Sequence, residues 1–121
     1  MKSVSFGPTL RLRVLLGQTI ALGPGKADLL EGIRESGSIA AAGRRLGMSY
    51  KRAWLPVDTM NGFFSTPLVK AVKGGKSGGG ARLTALGDKV LARYRHMERE
   101  TGRAVADDLS SLKRVMRSQP K

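Results

Sequence analysis

The short polar run from residue 49 to 52 carries side chains suited to contacting nucleic acid. The cationic groups of Lys51 and Arg52 match the O6 and N7 acceptors of guanine. The hydroxyls of Ser49 and Tyr50 can reach either phosphates or bases. Serine also caps helix N-termini, which would place this run in the first turn of a helix. The run therefore predicts a recognition helix, and its residue types leave the base sequence open.

A second basic segment extends from residue 68 to 84. Two strand-like stretches flank a glycine-rich loop there, and the segment contains no acidic residue. Lysine and arginine attract a polyanion, and glycines let the backbone approach a phosphate closely. We expect a β-wing whose DNA contacts come from Lys73, Gly74, Gly75, Lys76, Ser77 and Arg82. An unordered basic linker is the alternative for this loop.

Three helices are predicted between residues 24 and 64, and they would position both basic segments. Pro24 suits the first turn of the first helix, and Gly37 suits its C-terminus. Ser38 can cap a short second helix, whose N-terminal N–H groups could hold a phosphate. The third helix follows from Ser49 after a tight turn. This spacing predicts a helix-turn-helix, and ordinary helices of a small core are the alternative.

Pro56 lies within the predicted third helix, where it removes a backbone hydrogen bond and costs roughly 3 kcal/mol if the helix stays straight. We therefore expect a kink or an early end, which would confine base contacts to residues 49–55. Trp54 lies on the apolar stripe of this helix and is predicted to be a core residue. Tyr50 is equally suited to the core and to stacking on a base.

Residues 9–22 are predicted to form a β-hairpin after a tail over residues 1–8. Apolar and polar residues alternate from Thr9 to Val14, as in a half-buried strand. Gly17 and Gln18 then offer a tight turn into a second strand that ends at Leu22.

One long helix is predicted over residues 85–117, with a drifting apolar seam. Its first turns should pack on their own domain, and beyond Gly102 we expect a contact between two subunits, because the seam would otherwise be exposed to water. A two-fold homodimer would place two recognition helices about 34 Å apart and bind an inverted-repeat site. The predicted seam residues are Val90, Tyr94, Met97, Val105, Leu109 and Leu112.

Composition indicates one basic domain over residues 1–121. Lys and Arg number 22 against 9 Asp and Glu, so the net charge is +13. Such a charge attracts a polyanion, nucleic acid first, with an anionic membrane surface or an acidic protein as alternatives. The absence of cysteine excludes disulfides, thiolate metal sites and cysteine nucleophiles. Neither an export signal nor a membrane span is seen in the sequence, so we expect a cytoplasmic, nucleoid-associated protein without a membrane partner.

Catalysis is not expected from these residues. His96 is the single histidine, and no acidic pair or metal-ligand spacing occurs. Residues 75–77 resemble the end of a nucleotide phosphate-binding loop. However, Lys70 replaces the first glycine of that motif, and more glycines replace the helix that should follow. We therefore expect no enzyme activity, no metal and no cofactor.

Two segments carry a resemblance to a known family. Residues 37–54 read GSIAAAGRRLGMSYKRAW, and residues 74–84 read GGKSGGGARLT. Together they resemble the ModE-type, molybdate-responsive bacterial transcription regulators, over roughly residues 8–100. A bare helix-turn-helix would equally be similar to LysR-type regulators, whereas the paired motifs are more specific.

The resemblance implies a winged-helix DNA-binding domain that dimerises through its N-terminal strands and its long last helix, and that binds a palindromic operator. The recognition role would fall on residues 49–52, and the wing role on residues 73–80 with Arg82 at the base. In full-length members a separate C-terminal region binds molybdate. Only a few polar residues follow the long helix here, so we expect no molybdate binding by this chain alone.

The sequence as a whole predicts a mainly α protein with a small β part, folded as a winged helix-turn-helix. The expected function is sequence-specific binding of double-stranded DNA by a transcriptional regulator, with a link to molybdenum transport genes implied only by the resemblance. The alternative is a non-specific architectural protein that binds DNA or RNA through the same basic surface.

Overall fold

The computed structural model describes residues 9–18, 20–73 and 79–117, so the predicted tail over residues 1–8 lies outside it. The described residues form five helices and two antiparallel two-stranded sheets, which confirms the predicted class, a mainly helical winged helix. In chain order the elements are β1 Val14–Leu16, β2 Ile20–Leu22, α1 Pro24–Ser36, α2 Ile39–Arg45, α3 Tyr50–Phe63, β3 Val69–Lys73, β4 Gly79–Leu83, α4 Ala85–Ala104 and α5 Ala106–Val115.

The N-terminal hairpin is shorter than predicted. Strand β1 begins at Val14, which lies opposite Leu22, and residues 9–13 are not in a strand. Continuing the register would pair Leu12 with Pro24, which has no N–H and already starts α1, so the ladder ends there. Gly17 has a φ of +72°, a left-handed conformation that glycine adopts at little cost in the turn.

Local chemistry sets the starts of the three central helices where the sequence predicts them. Pro24 is in the first turn of α1, and Gly37 ends that helix with a left-handed φ of 76°. The Ser38 hydroxyl accepts a hydrogen bond from the N–H of Ala41 at 3.0 Å and caps α2. The Ser49 hydroxyl accepts one from the N–H of Arg52 at 3.3 Å and caps α3.

The turn between α2 and α3 brings the two helices into close contact. A Cβ atom at Gly43 would lie 2.9 Å from the Cβ of Ala53, so a larger residue would push the helices apart. The N–H of Met48 donates to the carbonyl of Gly43 at 2.8 Å and closes the turn. Buried residues from β2, the first four helices and the wing segment form one core: Leu22, Ala27, Leu29, Leu30, Ile33, Ala42, Ala53, Val57, Met60, Leu68, Val69, Ala81, Leu83, Leu91 and Tyr94.

Helix α3 does not end at Pro56, and the prediction of an early end is wrong. The helix continues to Phe63 because its second half is held in the core by Val57 and Met60, both buried. Burying two side chains of this size contributes about 1.5–3 kcal/mol each, which offsets the roughly 3 kcal/mol that an internal proline costs.

The predicted long C-terminal helix is divided into α4 and α5. Val105, with φ −108° and ψ 12°, lies outside the helical range and separates them. Asp107 and Asp108 follow in the first turn of α5, where carboxylates favour a new helix N-terminus. No helix in the described ranges combines the length and apolar character needed to cross a membrane.

Tyr94, predicted as a seam residue between subunits, lies instead in the core of its own protomer. Its side chain is fully buried, and its hydroxyl donates a hydrogen bond to the carbonyl of Leu12 at 2.6 Å. Burial, reinforced by nearby Glu98, raises the pKa of Tyr94 above its ordinary value. Val90 and Met97 also pack partly against this core. Most of the apolar stripe of α4 thus packs against the core of its own domain.

Candidate nucleic-acid interface

The outer face of α3 carries the predicted recognition residues. Tyr50, Lys51 and Arg52 occupy its first turn and are exposed. Ser49 is also exposed, and its hydroxyl is engaged as the helix cap. At about 100° per residue, Lys51 lies roughly 200° around the helix from buried Ala53 and therefore points away from the core.

Trp54 is 41% exposed, so the prediction of a core tryptophan is wrong. It lies about 100° from Ala53, at the margin of the buried stripe formed by Ala53, Val57 and Met60. Tyr50, one turn earlier, is 58% exposed. Leu55, which the sequence analysis did not single out, is 50% exposed. Its position off the apolar stripe was the signal available in the sequence.

The wing is an antiparallel pair in which two cations face each other. Lys70 lies opposite Arg82, and both are exposed. Like charges at directly opposed positions weaken a strand pair, whereas a bound anion would relieve their repulsion. Lys73, also exposed, pairs with Gly79 at the end of the ladder. The predicted wing residues Gly74, Gly75, Lys76 and Ser77 lie outside the described residues.

Asn61 joins α3 to the wing, a role that no pattern in the sequence indicates. Its side-chain oxygen accepts hydrogen bonds from the N–H groups of Leu68 at 2.8 Å and Val69 at 3.0 Å. Its amide nitrogen donates to the carbonyl of Val69 at 3.0 Å. One side chain therefore fixes the start of β3 against α3.

A second attachment fixes β4 against the junction of α1 and α2. The N–H of Ala81 donates to the carbonyl of Gly37 at 2.9 Å. A Cβ atom at Gly80 would lie only 2.5 Å from that carbonyl oxygen, so glycine is required for this approach. Ser38, the next residue after Gly37, is thereby held beside the wing.

These attachments enclose a groove of about 370 Å³ between α2, α3 and the wing. It brings together three of the predicted site residues, namely Ser38, Tyr50 and Lys73. The remaining lining residues are Ile39, Ala40, Ala71, Val72, Gly80 and Ala81. The groove is open to solvent at the same surface that carries the first turn of α3.

Carboxylates on α1 and α4 are held by arginines. Arg95 bonds to Asp28 at 2.9 Å, Glu31 at 2.7 Å and Glu98 at 3.0 Å. Burial alone would lower the pKa of Arg95, but the hydrogen bonds to these carboxylates outweigh it and raise the pKa. This cluster ties α4 to α1.

Near the helix-turn-helix, Arg45 bonds to Glu35 at 2.7 Å and lowers the pKa of that exposed carboxyl group. Arg45 and Arg95 are thus paired with carboxylates, whereas the cations of α3 and the wing take no part in the ion pairs of the described residues. No ion pair among the described residues involves Lys51, Arg52, Lys70, Lys73 or Arg82. Their positive charge is therefore left for an external anion. No cluster of three potential metal ligands occurs in the described ranges.

Comparison with known proteins relates this arrangement to molybdenum-linked regulators. The chain is 43% identical, over 88% of its length, to the molybdenum-pterin-binding protein MopB of Rhodobacter capsulatus. It is 45% identical, over 66% of its length, to the molybdenum transport protein ModE of Azotobacter vinelandii. It is 39% identical, over 69% of its length, to the DNA-binding transcriptional dual regulator ModE of Escherichia coli strain K12.

The chain is a homologue of the N-terminal part of the ModE-type, molybdate-responsive regulators. It spans only 38%, 30% and 32% of the length of these three relatives. A scan against models of protein families finds no match. The names of the three ModE-type relatives describe regulation, transport or molybdenum-pterin binding, and none of them describes an enzyme.

Proposed function

We propose that this chain is a sequence-specific, double-stranded DNA-binding domain of a transcriptional regulator. The observation that carries the proposal is that the cations of α3 and the wing, namely Lys51, Arg52, Lys70, Lys73 and Arg82, form no ion pair among the described residues. The two elements meet at one groove, which Tyr50 and Lys73 line. We assign α3 as the element that enters the major groove of DNA, because a major groove of roughly 12 Å admits one helix. The DNA-binding regulator among its relatives supports the same function.

Each predicted residue has a distinct role in this proposal. Lys51 and Arg52 contact base edges, and Tyr50 contacts the sugar-phosphate backbone at the groove margin. Ser49 stabilises the start of α3 through its capping bond. Phosphate contacts come from the hydroxyl of Ser38 and from the wing cations and loop, namely Lys73, Gly74, Gly75, Lys76, Ser77 and Arg82.

We extend the role of the relatives to this chain as part of the same proposal. Relatives named for molybdenum transport and for regulation suggest that the target genes concern molybdenum uptake. Regulation of such genes would place the protein with the chromosome in the cytoplasm.

Sequence preference is the property that tests the proposal. Fluorescence anisotropy would compare a duplex selected from a random library by the protein with a scrambled duplex, at about 50 and 200 mM salt. A regulator should prefer its selected site about 1,000-fold or more, and the preference should survive higher salt. If both duplexes bind equally, and binding of both is lost at higher salt, the protein binds DNA through charge alone. The architectural alternative would then replace the proposal.

The variant Arg52→Ala tests the proposed contact of Arg52 with a base. If Arg52 contacts a guanine, its loss should weaken binding to the selected duplex by about 1–3 kcal/mol and relax the base preference at one position. Arg99→Ala removes an exposed arginine from α4 and should leave affinity almost unchanged. An equal loss on selected and scrambled duplex would assign Arg52 to a phosphate instead.

We further propose that the chain acts as a homodimer on an inverted-repeat operator. None of the residues in α5 is buried, and its apolar stripe leaves Leu112 56% and Val115 81% exposed. Val105 and Leu109, which are half-buried, continue the same stripe. A separate apolar groove of about 260 Å³ lies on α4 and is lined partly by Val90 and Met97. Pairing of two such surfaces would remove them from water.

Sedimentation velocity tests the dimer. Leu112→Asp should shift the protein to a monomer, because a charge would have to be buried in the contact. Ser110→Asp adds the same charge at an exposed position about 200° around α5 from Leu112, and should leave the dimer intact. A monomeric wild-type protein at the concentrations used for DNA binding would overturn the homodimer without affecting the DNA-binding proposal.

A further inference from the structure

The outer face of α3 is not purely cationic, because Leu55 lies at its centre. Leu55 follows Lys51 by one turn and points roughly 200° away from the buried stripe at Ala53. A single exposed leucine is common on protein surfaces. Here, however, Leu55 lies within about 40° of Lys51 around α3, on the side that the proposed function places against base edges.

Leu55 is accompanied by a second exposed apolar group. Trp54 is the preceding residue, about 100° around the helix, and is 41% exposed. Leu55 and Trp54 thus form an apolar patch, and Lys51 and Arg52 border it on its N-terminal side. The cations favour binding of an anionic partner, and the patch favours contact with an apolar group of that partner.

We propose that Leu55, with Trp54 beside it, determines base preference by contacting thymine C5-methyl groups in the major groove. The inference rests on the proposed binding of double-stranded DNA and names the feature of the duplex that the same site recognises. Thymine is the one base that presents a methyl group in the major groove, and apolar side chains are its usual contacts. Double-stranded RNA offers neither that methyl group nor a major groove wide enough for a helix.

The size of the effect follows from the methyl group. Removing one methyl-sized group from water changes an equilibrium about fourfold. A duplex in which uracil replaces thymine keeps every base pair and loses only the methyl groups. The selected duplex should therefore bind at least about fourfold more tightly with thymine than with uracil, and more if two methyl groups are contacted.

The experiment measures the affinity of the full chain for the library-selected duplex, synthesised once with thymine and once with uracil. Three proteins are compared: wild type, Leu55→Ala, and Leu15→Ala, which truncates an exposed leucine on β1. The inference expects the thymine preference in wild type and Leu15→Ala, and a ratio near one in Leu55→Ala. Because Leu55 is half exposed, Leu55→Ala should fold normally, and its thermal unfolding would be recorded alongside.

Three outcomes overturn the inference in distinguishable ways. Equal wild-type binding of the thymine and uracil duplexes would show that methyl groups are not contacted, while DNA binding itself would stand. A preference that persists unchanged in Leu55→Ala would assign the methyl contact to another residue. Failure of the wild-type protein to prefer any duplex over a scrambled one would remove the proposed function and the inference together.

Discussion

Replacing Asn61 with alanine should loosen the attachment of the wing to α3. The side chain of Asn61 makes three hydrogen bonds to the backbone of Leu68 and Val69, at 2.8, 3.0 and 3.0 Å. Leu68 and Val69 are both buried, so water cannot freely replace the lost partner. Asn61→Ala would leave two N–H groups and one carbonyl without this partner.

The expected loss of stability follows from those three groups. A buried polar group left unsatisfied costs about 1–3 kcal/mol. Because Asn61 itself is only partly buried, water should reach some of the freed groups, and we expect a total loss of about 2–4 kcal/mol. For a domain of this size that loss corresponds to a fall in Tm of roughly 6–20 °C.

Urea unfolding of the wild type and two variants would measure this loss. Asn61→Asp retains an acceptor for both N–H groups and loses only the donor to Val69, so its stability should lie between those of the wild type and Asn61→Ala. Affinity for the selected duplex should fall in Asn61→Ala even at temperatures where the protein is folded, because β3 is no longer fixed against α3. Unfolding of Asn61→Ala at the wild-type urea concentration would refute the assigned role.

Three further predictions concern the wing and the core. Gly80→Ala should destabilise the fold by about 1–3 kcal/mol in urea unfolding, because its Cβ atom would meet the carbonyl oxygen of Gly37 at 2.5 Å. Lys70→Ala should lower the slope of log affinity against log salt by about 0.9 on selected and scrambled duplexes alike, as expected for one phosphate contact. Stability should fall as the pH rises above about 10, because the folded state holds the proton of Tyr94 more tightly than the unfolded chain does, and Tyr94→Phe should remove this contribution.

Each of these has a result that contradicts it. Wild-type stability of Gly80→Ala would mean that β4 does not approach α1 so closely. An unchanged salt slope in Lys70→Ala would remove this face of the wing from the DNA contact. An alkaline loss of stability that persists undiminished in Tyr94→Phe would come from other groups.

The starts of the three central helices, and the end of α1, could be predicted from the sequence because local chemistry sets them. Pro24, Gly37, Ser38 and Ser49 each act within about four residues of their own position, through a fixed φ, a left-handed turn or a capping bond. The link between Asn61 and the wing spans seven to eight residues and a turn. No spacing rule marks such a contact in a single sequence.

Two aromatic residues show the limit of periodicity for predicting burial. Trp54 was predicted in the core and is exposed, whereas Tyr94 was predicted at a contact between subunits and is buried in its own protomer. Both residues lie on an apolar stripe. The period of a stripe shows which side of a helix is apolar, but what covers that side depends on elements distant in the chain, such as Leu12 for Tyr94.

The same dependence on packing explains why α3 continues through Pro56, whereas the C-terminal helix breaks at Val105. Proline is the strongest helix breaker, and α3 continues through Pro56 because Val57 and Met60 are buried beyond it. Val105 is a much weaker signal, and the helix breaks there because none of the described residues beyond it, 106–117, is buried. Contact with the core thus decides where these helices end. Because no residue of α5 is buried, its orientation should be set by the surface of a second protomer that packs against Leu112. The sedimentation test of Leu112→Asp therefore also tests whether dimer formation fixes the orientation of α5.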